Sequence, residues 1–124
     1  VPLTPALSKA EQCFALEASL KSDHAKKKAQ LTAEYNGKIP AAFNDLLFQK
    51  SERVAKQHKV CFQQYESLGA QFAAMDTAFR NIEPKSLNVK RQRATVDQAK
   101  QTYLQMAPTA KAYNKAPKPK AEAN

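Results

Sequence analysis

The chain has 124 residues with 20 Lys and Arg against 11 Asp and Glu, so its formal net charge is +9, and it contains only two glycines. This length fits one small domain. So few glycines exclude a P-loop, a dinucleotide-binding turn, an EF-hand loop and a nucleophile elbow, all of which need glycine in a tight turn. Alanine supplies 22 of the apolar residues, and such a thin core needs close helix packing, a covalent link or a second subunit.

Helix is predicted throughout, because Ala, Lys, Gln, Glu and Leu dominate and strand-type alternation is absent. Residues 1–7 contain two prolines and are predicted to be an extended segment that precedes the first helix. Ser8 and Glu11 have the spacing of a capping box, so the first helix is predicted over residues 8–36. Gly37 follows as a typical helix stop.

Two further helices and a tail follow along the chain. Pro40 favours the start of a second helix over residues 41–82, which Pro84 ends. A third helix is predicted over residues 87–106. Residues 107–124 are rich in Lys, Pro and Ala and are predicted to be a disordered basic tail.

The second helix carries a heptad pattern. One row of apolar residues recurs every seventh position: Leu47, Val54, Cys61, Leu68, Met75 and Ile82. A second row follows four residues later: Ser51, His58, Tyr65, Phe72 and Phe79. This seam is typical of a coiled-coil-like bundle, so the fold class predicted is all-α, a long antiparallel helical hairpin plus a third helix.

In an antiparallel helical hairpin, two residues that lie side by side have residue numbers with a constant sum. This register arithmetic can be applied to both predicted hairpins. In a hairpin that turns at Gly37, residues at equal height have numbers that sum to about 74, and Cys13 and Cys61 meet this condition. At the second turn the sum is about 171, which places Tyr103 at the height of Leu68.

The predicted helix lengths leave a packing problem. At about 1.5 Å per residue the second helix would be roughly 60 Å long, with the first and third helices each covering only part of it. Either the second helix bends near Gly69, or two chains form a homodimer through the second-helix seam. The unbroken heptad pattern favours the dimer.

The two cysteines indicate a disulfide between Cys13 and Cys61 and therefore an oxidising compartment, periplasmic or secreted. The Val-Pro-Leu-Thr-Pro start is typical of a mature N-terminus, so we expect a signal peptide to be removed before Val1. Buried free thiols are the first alternative. A second alternative is a metal site of Cys13, Glu17, His58 and Cys61, which lacks the CxxC spacing of specific zinc motifs. The simplest interpretation of Glu17 and His58 places the histidine in the seam and the glutamate at the surface.

No enzyme signature is present in the sequence. HExxH is absent, and the carboxylates are spaced singly among lysines, as on exposed helix faces. We therefore expect a protein that is not an enzyme and that has no cofactor. No apolar run approaches the roughly 20 residues of a spanning helix.

The positive charge gives the remaining indication of function. The candidate binding residues form a basic surface: Lys26, Lys27, Lys28, Arg53, Lys56, Lys90, Arg91 and Arg93. Lysines outnumber arginines 16 to 4, which favours diffuse electrostatic attraction over base recognition. We expect an interaction protein that binds an acidic protein, an envelope component or an unfolded client, with nucleic acid or another anionic polymer as the alternative.

Overall fold

A computed structural model describes residues 3–82 and 86–113, and within these ranges the chain is helical with no strand. The elements in chain order are α1 (Leu3–Glu34), a 3-10 turn (Ala41–Phe43), α2 (Asn44–Arg80) and α3 (Leu87–Tyr113). The predicted all-α fold class is confirmed. Among the described residues, no helix is both long and apolar enough to span a bilayer.

Helix α1 begins five residues earlier than the capping-box prediction placed it, so an extended segment is wrong for residues 3–7. Pro5 fits because it lies in the first turn, where backbone N–H groups have no partner within the helix. Ser8 is not a cap; its Oγ accepts a hydrogen bond from Gln12 Nε2 at 3.5 Å. Burial of Leu7 and Ala10 against the other helices stabilises this added turn. Residues 1–2 lie outside the described residues.

The turn between α1 and α2 depends on left-handed backbone. Asn36 has φ 51° and Gly37 has φ 85°, and the Gly37 N–H donates to the Thr32 carbonyl at 2.8 Å. Glycine takes this conformation without steric cost, which is why the helix ends here. A 3-10 turn then precedes α2, so the second helix begins at Asn44 rather than at residue 41.

Helix α2 is continuous across Gly69, so the alternative of a break there is wrong. Gly69 serves close packing instead. A β-carbon at this position would lie 2.5 Å from Tyr103 Oη. The Tyr103 ring stacks on Tyr65 with centroids 4.7 Å apart and lies 5.2 Å from the Phe72 ring. Tyr103 therefore sits beside α2 at the height of Leu68, as the register arithmetic predicts.

Helix α3 starts with a side-chain cap and continues past a proline. The Ser86 Oγ accepts a hydrogen bond from the Val89 N–H at 3.2 Å. The predicted end at residue 106 is wrong, because the helix runs through Pro108 to Tyr113. Proline inside a helix costs about 3 kcal/mol, and burial of Met106 and Ala110 in the core offsets this cost.

The predicted disordered tail is therefore wrong for residues 107–113, which are helical. Its remaining part, residues 114–124, lies outside the described residues, as do residues 83–85 at the predicted end of the second helix.

The helix ends resolve the packing problem that the sequence raised. Because α1 starts at Leu3, its first turns line a cavity together with α2 as far as Gln71. Because α3 continues past residue 106, Met106 and Ala110 join the core cluster with Ala10 of α1. Helices α1 and α3 therefore both pack against the second half of α2, and the chain encloses this core without a break in α2 and without a second copy. The homodimer stays a prediction.

Two regions result from this arrangement. The bundle comprises residues 3–21, 55–80 and 87–113, and it contains every residue of the main core cluster. The arm comprises residues 22–34 and 44–54, where α1 and α2 extend beyond that cluster. All buried residues of α2 belong to the predicted seam: Val54, His58, Cys61, Tyr65, Leu68 and Phe72.

Candidate functional site

The two cysteines meet between α1 and α2. Cys13 and Cys61 lie at disulfide-bonding distance, with Cα atoms 5.5 Å apart, and both are buried. The pair sits where the register arithmetic places it. A disulfide-distance pair is compatible with an oxidising compartment.

A glutamine that the sequence analysis did not single out packs against this disulfide. Gln57 Nε2 donates to the Cys13 carbonyl oxygen at 3.2 Å and lies 3.3 Å from Cys13 Sγ and 3.7 Å from Cys61 Sγ. Because Gln57 is one turn before Cys61, its amide spans from α2 to the backbone of α1. The sequence offers one signal for this role, which is the one-turn spacing to a seam cysteine.

A buried acid and imidazole lie one turn from the disulfide. Both Glu17 carboxylate oxygens are 2.9 Å from His58 Nδ1, and the two residues are 4% and 3% exposed. The His58 ring stacks on Phe62 and meets the edge of Phe14. Placing Glu17 at the surface is therefore wrong. Buried carboxylates require such partners, and this pair helps to fix the register of α1 on α2.

The structure brings together all four residues of the metal alternative, although not as a metal site. Both sulfur atoms belong to the disulfide, and the Glu17 carboxylate is hydrogen-bonded to the His58 ring. Within residues 3–82 and 86–113, no group of three or more His, Cys, Asp or Glu side chains is placed to hold a metal ion. The metal alternative is not supported for the oxidised chain.

A cavity of about 520 Å³ lies beside this pair, between α1 and the end of α3. Its walls include Phe14, Glu17, Lys21 and Pro108. The cavity forms because α3 continues past Pro108 and lies over α1. The same extension that corrects the helix boundary thus covers one side of the buried pair.

The predicted basic surface separates into two groups. The arm basic group comprises Lys26, Lys27, Lys28, Arg53 and Lys56. The α3 basic group comprises Lys90, Arg91 and Arg93. All eight side chains are exposed except Lys27 and Arg93, which are half-buried.

The two groups lie near opposite ends of α2. Arg53 is on the arm part of this helix, whereas Arg93 of the α3 basic group contacts Phe79 near its other end. The 26 residues from Arg53 to Phe79 span about 39 Å along the helix axis. This distance is several times the screening length of about 8 Å at physiological salt, so the groups act as separate charged sites.

An aspartate lies beside two members of the arm basic group, Lys26 and Arg53. Asp23 accepts a hydrogen bond from Lys50 Nζ at 2.7 Å. This bond holds the pKa of the Asp23 carboxyl below its usual value, and the charges of Arg53 and Lys26 act in the same direction. Lys56 forms an exposed ion pair with Glu52 at 3.6 Å. Part of the positive charge of the arm is therefore balanced internally.

Within the α3 basic group, Arg93 has a structural role. Its Nη2 donates to the Phe79 carbonyl at 2.9 Å, and its guanidinium lies 5.4 Å from the centre of the Phe79 ring. Arg93 thus adds a hydrogen bond to a carbonyl near the end of α2 that also accepts one from the Ile82 N–H, and it holds α3 against α2. Lys90 and Arg91 remain as the exposed cations of this group.

No family model, curated protein or solved structure matches this chain.

Proposed function

We propose that this chain is a non-catalytic interaction protein of an oxidising compartment, periplasmic or secreted, that binds an extended acidic partner through its two basic groups. The partner is an acidic protein, either folded at an envelope surface or an unfolded client. The observation that carries this proposal is the separation of about 39 Å between the arm basic group and the α3 basic group along one continuous helix.

Charge is distributed unevenly among the helices. The described α3 contains five Lys and Arg against one Asp, whereas α1 and α2 each contain five Lys and Arg against four Asp and Glu. Excess positive charge on one helix attracts anionic partners and speeds their association. The arm basic group then offers a second contact for any partner long enough to reach it.

The chemistry of the groups favours an acidic polypeptide over base recognition in nucleic acid. Lysine predominates over arginine in the chain, and the aromatic ring beside the α3 basic group, Phe79, is half-buried and covered by Arg93. Stacking platforms for bases need exposed aromatic rings. Diffuse attraction to spaced carboxylates needs none.

The experiment compares polyglutamate chains of different length. An extended chain needs about 12 residues to span about 39 Å. We expect a chain of about 30 residues to bind at least about tenfold more tightly than one of about six, because only the longer chain reaches both groups. Added salt should weaken binding steeply.

Three double variants of equal charge change test the placement. Lys26→Gln with Arg53→Gln alters the arm basic group, and Lys90→Gln with Arg91→Gln alters the α3 basic group. Lys9→Gln with Lys59→Gln is the control, since both lysines are exposed outside the two groups. The first two variants should bind the long and the short polyglutamate with similar affinity. The control should still bind the long one more tightly.

Equal losses in all three double variants would show attraction to net charge alone and contradict the proposal. Tighter binding of single-stranded DNA than of polyglutamate of equal charge would favour the anionic-polymer alternative instead.

A further inference from the structure

A groove of about 720 Å³ opens at the end of the bundle that is remote from Gly37. The first turns of α1, the last turns of α2 and the first half of α3 form its walls. Its apolar lining consists of Leu3, Leu7, Met75, Phe79, Val96 and Ala99. Leu7 is buried in the core cluster, and Leu3, Val96 and Ala99 pack against that cluster. Among the described residues, the groove therefore gives access to one end of the bundle core.

The groove lies where the first described turn of α1 packs beside the last turns of α2. Leu3 is level with Gln71 by the register arithmetic, whereas α2 continues to Arg80. Met75 and Phe79 lie beyond the first turn of α1 and are only half-buried. Arg93 binds the Phe79 carbonyl and covers its ring, so this wall is held in place.

The dimensions of the groove suit a short helix. The α3 wall runs from Arg91 to Thr102, which is about 16 Å or three helical turns. A volume of several hundred Å³ is typical of pockets that enclose several side chains. A helix bound here would form a four-helix bundle with α1, α2 and α3, which is a common packing for amphipathic helices.

The rim of the groove selects among possible ligands. Besides the apolar lining, it carries neutral hydrogen-bonding side chains: Thr4, Ser8, Gln92, Thr95, Gln98 and Thr102. Such groups suit the side chains of a polypeptide better than a uniform hydrocarbon chain. Arg91 lies at the α3 start and Glu11 on the α1 wall. The charge is thus positive at one end of the groove and negative on the opposite wall.

We propose that this groove binds an amphipathic helical segment of the acidic partner, with apolar side chains in the groove and a carboxylate at Arg91. This inference rests on the proposed function and names the site at which the α3 end engages that partner. Lys90, which precedes Arg91 and is exposed, adds attraction for carboxylates outside the groove.

The test uses a matched pair of threonines. Thr95 lines the groove and Thr77 does not. Both are exposed, and each hydroxyl donates to the carbonyl four residues earlier at 3.0 Å. Thr95→Glu places a carboxylate in the groove wall, and Thr77→Glu makes the same change outside it. Thermal unfolding of both variants verifies that each is folded before binding is compared.

The probe is a library of random peptides of about 16 residues, selected against the whole chain. We expect the enriched peptides to carry apolar residues at i, i+3, i+4 and i+7 together with excess Asp and Glu. Thr95→Glu should weaken their binding at least about tenfold, and Thr77→Glu less than about twofold.

Several results would overturn the groove assignment. These are no enriched pattern, amphipathic peptides without acidic residues, or equal effects of Thr95→Glu and Thr77→Glu. Binding of dodecanoate without peptide enrichment would identify a lipid site instead. A change in the oligomeric state of the free chain with Thr95→Glu alone would assign the groove to a second copy. If polyglutamate still binds in a length-dependent manner, the proposed function stands while the groove assignment fails.

Discussion

The bundle and the arm share the same α2 helix but differ in how many helices surround it. In the bundle, α3 packs across α1 and α2, and ten buried residues form one cluster. In the arm, the buried residues are Leu31 and Val54. Leu31 and Leu68 are equally buried at 1% and 2%, although one lies between two helices and the other among three. Burial of a side chain therefore does not by itself measure how rigidly its surroundings are held.

The disulfide and the Glu17–His58 pair lie on the bundle side of the boundary between the two regions. They link α1 to α2 near the point beyond which α3 no longer packs against these two helices. An alanine-rich chain with few large core residues gains most from cross-links at such a place, because the arm beyond it has little apolar surface to bury.

The largest effect should distinguish the two buried leucines. Leu68→Ala should lower the free energy of unfolding by about 4–5 kcal/mol, because three packed helices cannot collapse around the cavity. Leu31→Ala should cost about 2–3 kcal/mol, because two helices can close on the vacated space. Urea unfolding followed by circular dichroism measures both. Equal losses would mean that the arm is packed as rigidly as the bundle.

Removing the disulfide should have the next largest effect. Cys13→Ala with Cys61→Ala should lower the free energy of unfolding by about 4 kcal/mol, since the disulfide closes a loop between residues that are 48 apart in sequence. Intact-mass measurement of the natural chain, with and without reductant, should first show the mass of one disulfide. A chain whose mass is unchanged by reductant would contradict the bond itself.

The close approach of Gly69 to Tyr103 predicts that the effect of Gly69→Ala on the free energy of unfolding changes sign when the Tyr103 hydroxyl is removed. Gly69→Ala should lower the free energy of unfolding by about 1 kcal/mol, because the new methyl group meets Tyr103 Oη and that ring is held by Tyr65 and Phe72. In a Tyr103→Phe background the hydroxyl is gone, and the same substitution should raise the free energy of unfolding by about 0.5–1 kcal/mol through helix propensity. A double-mutant cycle measures this, and additive effects would argue against the contact.

The smallest effect concerns stability at high pH. Burial raises the pKa of Tyr103 from 10.0 to about 12, and the Tyr65 hydroxyl acts in the same direction. The folded chain therefore holds this proton more tightly than the unfolded chain. The resulting stability is fully present below about pH 10 and is lost as the pH rises toward about 12. Unfolding at about pH 9 and about pH 11 should show this fall, and Tyr103→Phe should make it shallower.

The sequence alone predicts the middle of the fold better than its ends. The heptad seam and the register arithmetic place Cys13 against Cys61 and Tyr103 beside Leu68, because both depend only on helical periodicity around two turns. The predicted ends of α1 and α3 are wrong at Pro5 and Pro108. Local propensity reads both prolines as helix breakers, whereas burial of Leu7 and Ala110 decides the outcome through contacts made only in the folded chain.

The candidate site shows the same limit. Periodicity brings Glu17 near His58 but does not tell whether the carboxylate is buried or exposed. That depends on Phe14 and Phe62 around the pair and on α3 beyond Pro108. Likewise, the basic residues are visible in the sequence, but their division into two groups near opposite ends of α2 follows only from the packing. Nothing in the sequence beyond the charge of Arg93 predicts that its guanidinium binds the Phe79 carbonyl and covers the Phe79 ring.

Hydrogen exchange with and without polyglutamate shows whether two separated basic groups engage one extended acidic partner. In the free chain, amides of the arm should exchange faster than those of the bundle. With a polyglutamate of about 30 residues, protection should rise together around residues 26–28, 53–56 and 87–93, whereas a chain of about six residues should not link these segments. Protection confined to one group at every length, or spread evenly over the chain, would contradict the account.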